Sequence, residues 1–97
     1  MTSKKSADFG RLRTLLENHE SFPVEFPVKF VGKNSETFKA GTKRFEADHP
    51  FLKQTSCRVS AKGNHLAYTF AFTAESPDQI IQVLEAVHQI EDILVIL

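Results

Sequence analysis

SAKGNHLAYTFAFTA, from Ser60 to Ala74, decides how this chain folds. Lys62-Gly63-Asn64 reads as a tight turn, and the residues after it alternate with period two. Leu66, Tyr68, Phe70 and Phe72 fall on one side, while His65, Ala67, Thr69, Ala71 and Thr73 fall on the other. A strand with one large apolar face and one small, mostly polar face belongs in the middle of a sheet buried on one side.

The partner across the turn is the run from Gln54 to Ser60, in which Thr55, Cys57 and Val59 alternate with Ser56, Arg58 and Ser60. A two-residue loop at Gly63-Asn64 or at Lys62-Gly63 puts Cys57 and Val59 on the face of Leu66, Tyr68 and Phe70. That predicts a buried structural Cys57. It also points Cys57 away from His65, so the two cannot form a nucleophile–base pair.

Upstream, Phe26, Val28 and Phe30 alternate with Pro27, Lys29 and Val31 in a first strand ending at Gly32. Pro27 has no N–H to donate, so it belongs at the strand's beginning or on an unpaired side. Gly32-Lys33-Asn34-Ser35 turns into a helix with Asn34 or Ser35 as N-cap and Phe38, Thr42 and Phe45 on one face. Gly41 in that helix allows close packing, and His49-Pro50 ends it.

Downstream, Ser76-Pro77-Asp78-Gln79 is a capping box with proline at the first helical position. Ile80, Ile81, Val83, Leu84 and Val87 form the buried stripe of the helix it opens, and Ile93 to Leu97 is a short, wholly apolar strand. At the other end, Pro23 and Pro27 exclude a helix over 21–27. Asp8 is placed to cap a short helix from Phe9 to about Asn18, with Phe9, Leu12, Leu15 and Leu16 on one face. Residues 1–7 are polar and expected to be disordered.

These elements give an α+β, ferredoxin-like fold, β-α-β-β-α-β. Its four-stranded antiparallel sheet carries two helices on one face, plus the short N-terminal helix. Residues 1–21 form the tail and short helix, and 22–97 the domain.

Composition narrows the function. At 97 residues, 41% hydrophobic and 25% charged, the chain makes one globular domain. A formal net charge of +0 argues against a phosphate-driven nucleic-acid binder. The charge is segregated: Lys29 to Lys62 is rich in Lys and Arg, whereas Glu75 to Leu97 carries acids and neither Lys nor Arg. A single cysteine permits no internal disulfide and implies a reducing, cytoplasmic setting. Lys4 and Lys5 precede no apolar run, and no stretch approaches the ~20 apolar residues that span a bilayer, so no membrane partner is expected.

On this pattern the sheet face away from the helices carries Lys29, Val31, Ser56, Arg58, Ala67, Thr69 and Ala71. To these the last strand adds Leu94 and Ile96 or their neighbours. Because that strand is apolar on both sides, something should cover it: a second copy, or the N-terminal helix through Leu12, Leu15 and Leu16. RNA-recognition domains share the topology, but their aromatic stacking positions are here Asn64, Leu66 and Thr69. His19, His49, His65 and His88 lack metal-ligand spacing, and no phosphate-loop, dinucleotide or triad motif appears. His88 suits the helix dipole. No catalytic residue, metal or cofactor is expected. Gly32, Lys33, Asn34 and Ser35 bring a cation and free N–H groups to a helix N-terminus, a candidate small-anion site. Ser60, Lys62, Gly63, Asn64 and His65 are candidate interaction residues.

FPVEFPVKFVG (22–32), the hairpin 60–72 and QIIQVLEAVHQIEDILVIL (79–97) resemble the YbeD-like family of small uncharacterised bacterial proteins. The shared marks are Phe22-Pro23, Lys29 to Gly32, Ser60 to Gly63 and Ile96-Leu97, over roughly residues 15–97. The chain departs at His65, where members carry an aromatic residue. The resemblance implies a ferredoxin-like fold similar to ACT regulatory domains, which bind amino acids and dimerise, with no known catalytic activity. It also implies a regulatory partner among enzymes of lipoate metabolism. Together these readings describe a non-enzymatic regulatory or interaction module, a homodimer through its sheet. The alternative is a sensing domain that binds an amino acid or carboxylate at the Gly32–Ser35 turn.

Overall fold

Strand β1 (Val24–Lys33) lies at the centre of the computed structural model, which describes residues 9–19 and 21–97. The other elements are α1 (Gly10–His19), α2 (Glu36–Asp48), β2 (Lys53–Val59), β3 (His65–Ala74), α3 (Pro77–His88) and β4 (Ile93–Ile96). The strands form one antiparallel sheet in the order β2-β3-β1-β4. This is the expected α+β, β-α-β-β-α-β arrangement. Asp8 and residues 1–7 lie outside the described residues.

Alternation settles which face of the sheet is buried. Val28, Phe30, Leu66, Phe70, Phe72 and Ala74 are buried beneath α2 and α3. Phe30 is fully buried, with the rings of Phe38, Phe45, Tyr68 and Phe70 between 5.8 and 6.1 Å from its own. α3 adds Ile80, Ile81, Val83, Leu84 and Val87, and Ile90 just beyond the helix completes the stripe.

Both main helices start as their caps dictate. Ser35, in extended backbone, accepts a hydrogen bond from the Phe38 N–H at 3.1 Å. Ser76 accepts one from the Gln79 N–H at 3.3 Å, and the Gln79 side chain accepts from the Glu75 N–H at 2.7 Å. The reciprocal bond of the box therefore lands one residue ahead of the cap.

Pro27 lies opposite Ala71 of β3. The backbone of Lys29 accepts from Leu97 and that of Lys33 donates to Asp92, both toward the β4 side. Strand parity turns Pro27 the same way, where short β4 does not reach, so its missing donor leaves no partner unmatched.

Several expectations are corrected. The β2–β3 register matches a loop centred on Lys62-Gly63, pairing Val59 with Leu66 and Cys57 with Tyr68. The loop itself holds four residues, closed by Ser60 donating to the His65 carbonyl at 2.9 Å and Gly63 donating to Ser60 at 2.8 Å. Gly63 sits at φ 80, where glycine is favoured. A register shift between Gln54 and Ser56 breaks the alternation at Thr55. Cys57 is exposed rather than buried, and Val59 is 57% exposed. Both share the face of Tyr68, but β2 is an edge strand and no described helix covers it. In α1, Leu16 is buried and Leu12 partly so, whereas Leu15 is 55% exposed.

α1 does not cover the open face of the sheet. It packs against α3, with Phe9 edge-on to His88 at 5.5 Å and Arg13 ion-paired with Asp78. Gly32 has a separate importance, because a Cβ there would run into the buried Phe38 ring. Gly32→Ala is therefore expected to destabilise the fold by about 1–3 kcal/mol, the usual penalty for overpacking. Urea unfolding should show a lowered midpoint at unchanged slope.

Candidate functional site

The two loops singled out in the sequence form one structure. The Asn34 side-chain amide donates to the Gly63 carbonyl at 2.8 Å, and the Asn34 N–H to the Asn64 carbonyl at 3.0 Å. Gly32–Ser35 and Ser60–His65, about thirty residues apart in the chain, are thereby tied into one rim at the end of β1 and β3. Lys33 lies opposite His65 in the sheet register. Lys62, Gly63, Asn64 and His65 are all exposed.

Asp92 is the third member of the rim, and sequence reasoning missed it. Its carbonyl accepts from the Lys33 N–H at 3.0 Å, and its carboxylate accepts from the Ser35 hydroxyl at 2.7 Å. Ser35 thus uses its hydroxyl as donor to Asp92 and its lone pair as acceptor from Phe38. Asp92 adopts φ 68, a left-handed conformation that Asp tolerates better than most residues, and this aims the chain into β4. The carboxylate at the start of α2 therefore comes from the chain itself, at the turn offered as a small-anion site. Nothing in the spacing of Ser35 and Asp92 signals this pairing. The only local sign is an acid just before an apolar strand.

Beyond the rim lies the open face of the sheet. A groove of about 520 Å³ crosses it, with Val31, Ala67, Leu94 and Val95 as its floor. Arg58, Val59, Ser60 and His65 stand at its β2 end. A register shift in β4 produces this floor. Val95 pairs with Val31 and Ile93 with Gly32, so Leu94 and Val95 both line the groove. Ile93 is buried in the core and Ile96 packs against it. The open-face residue of β4 next to Leu94 is thus Val95, not Ile96. Leu94 is 52% and Val95 45% exposed.

Hollows on the helical side are more polar. One of about 740 Å³ lies between α2 and α3 beside Gly41, Arg44, His49 and Ile90. Gly41 opens toward Ile90, where a Cβ would come within 3.2 Å of the side chain. Another, of about 440 Å³, runs between α2 and the β2–β3 edge past Thr42, Gln54 and Tyr68. The buried Thr42 hydroxyl has no hydrogen-bond partner among the described residues. His49 bonds the Phe45 carbonyl through Nδ1 at 2.7 Å. His88 ends α3 against Phe9. Among the described residues, no group of three or more His, Cys, Asp and Glu could hold a metal ion. No described helix is long and apolar enough to cross a membrane.

Fold and surface define a class: a small ferredoxin-like module with a buried helical face and an open face. The family model for proteins of unknown function DUF493 matches residues 17–97, and the chain belongs to that family, the YbeD-like group it resembles. A UPF0250 protein of Shewanella amazonensis is 31% identical over 83 residues, covering 84% of this chain and 94% of that one. No solved structure matches the chain.

Two measurements check this geometry. Ser35→Ala removes both the cap of α2 and the contact to Asp92, and should lower stability by about 1–2 kcal/mol in urea unfolding. Tyr68 is the sole tyrosine, in a chain without tryptophan, so its ionisation can be followed by absorbance alone. Burial pushes its phenol above 10.0, and neighbouring Cys57 raises it further. The unfolded chain releases this proton first, so stability is full below about pH 10 and falls as pH rises through the folded midpoint. Cys57→Ala should lower the midpoint while leaving it above 10.0, because burial is the larger cause.

Proposed function

We propose that this protein is a non-enzymatic interaction module that works through the open face of its sheet and the rim beside it. One observation carries the reading: α1 packs on α3, leaving the Val31, Ala67, Leu94 and Val95 strip across the sheet without cover from the described chain. Apolar side chains that gain nothing from the fold's own core mark a docking surface when they lie side by side. Ser60 and His65 join that strip to the rim, so Lys62, Gly63, Asn64 and the Gly32–Ser35 turn border the same surface.

A regulatory role suits such a surface on a module that offers no recognised catalytic set among the described residues. A second copy is the occupant suggested by the sequence, and an enzyme of lipoate metabolism is the partner suggested by the family resemblance. The sensing alternative gains less support, because Asp92 already provides a carboxylate at Ser35.

The test pairs two variants. Val95→Asp puts a charge on the strip, whereas Lys43→Glu alters an exposed position on the helical layer. Light scattering across micromolar concentrations reports self-association, and capture from a cell extract on immobilised protein reports other partners. We expect association that survives Lys43→Glu and is lost in Val95→Asp. A monomer whose captured proteins are identical in all three forms would sink the reading.

A further inference from the structure

The open face is not only apolar; it is also positively charged. Register places Lys29, Lys33, Lys53 and Arg58 on it, opposite Thr69, His65, Ala71 and Ala67 respectively. Its one acid in the strands is Glu25, paired with Thr73 at the end away from the groove, where it accepts the Thr73 hydroxyl at 3.0 Å. Asp92, within the rim, is held on Ser35. Asp78 and Glu85 ride on α3, behind the sheet. The neutral total of the chain conceals this polarity.

We infer that the open face docks an acidic amphipathic helix from another protein, with apolar side chains on the Val31–Ala67–Val95 floor and carboxylates toward Arg58, Lys33 and Lys29. This rests on the reading of that face as a docking surface and goes further by naming the chemistry of the occupant.

Shape and charge both select this occupant. The groove is lined by residues of all four strands, so it runs across the strand direction. A segment lying that way cannot add to the sheet as a strand, but a helix can rest on it as a third layer. Four strands at ~4.8 Å spacing span ~14 Å, which ~10 residues of helix cover at ~1.5 Å each. That length presents apolar residues at i, i+3 or i+4, and i+7. The floor side chains are small or branched, leaving room for a partner's larger ones. A second copy laid face to face would set four lysine and arginine side chains against four more of the same sign. A nucleic acid would find the cations but, among the described residues, no ring to stack on except His65 at the groove's end, because Phe70, Phe72 and Tyr68 belong to the other face.

A display library of random 16-residue peptides, panned on the full-length protein, tests this directly. The expected result is enrichment of acidic peptides with apolar residues at helical spacing. The best of them, fluorescently labelled, should lose about tenfold or more in affinity with the double variant Lys33→Glu, Arg58→Glu, and with Val95→Asp. Added salt should weaken its binding. All these positions are exposed, and circular dichroism melts confirm that each variant folds. Neutral or basic peptides that lose binding only in Val95→Asp would overturn the acidic partner while leaving the docking face intact. Binding indifferent to every variant, or no enrichment, would remove the acidic-helix inference, and the former would remove the docking face as well. Preferential binding to phosphatidylserine vesicles, or a homodimer lost in Val95→Asp, would replace the proposed occupant with a membrane or a second copy.

Discussion

The ring of Phe30 is the constraint on which the rest of this structure depends. It sits on the central strand with no exposure, surrounded by aromatic rings from α2 and β3. Edge-on rings from the helix and a parallel ring from the neighbouring strand match the arrangements that aromatic quadrupoles favour. Because Phe38 reaches this cluster across Gly32, the turn into α2 must lie close to the sheet. The packing of one residue thus determines where the helix begins, and with it where the rim of loops can form.

Concentrating large apolar groups on one side has a complementary effect on the other. Period-two alternation gives β3 Leu66, Phe70 and Phe72 for the core, and the smaller Ala67, Thr69 and Ala71, between His65 and Thr73, for the opposite face. That face is consequently flat, with relief only where β4 slips its register and turns both Leu94 and Val95 outward. Val95 meets Val31 there, so the apolar strip is shared between the central strand and the edge.

Alternation, caps and turn residues make the fold legible in the chain itself. Phe26 to Phe30, the Ser76 box and the Ser60–Ala74 stretch each speak for their own element, and their order leaves few topologies. The errors share a physical origin. Face assignment placed Cys57 and Val59 correctly, but whether a helix lies over an edge strand depends on helix docking, which alternation does not encode. Leu15 is exposed although it shares the apolar pattern of Leu12 and Leu16, because three turns of α1 leave its docking partner undetermined. The site was less legible still. Its loops were visible individually, yet their joining through Asn34 and the recruitment of Asp92 from 57 residues away are products of folding.

Pro27 gives the outer margin of the sheet a meaning of its own. β1 runs on past the reach of β4, which would leave a bare row of main-chain groups inviting a foreign strand. A proline in that row interrupts the ladder that an intruder would need, since it has no hydrogen to offer. The opposite margin is guarded differently: β2 carries Lys53 and Arg58 and is dislocated at Thr55, so another strand cannot zip along it in register. The molecule can therefore keep one face open for contact while the stretch of β1 beyond β4 and the β2 edge both make poor templates for an added strand, separating sociability from aggregation.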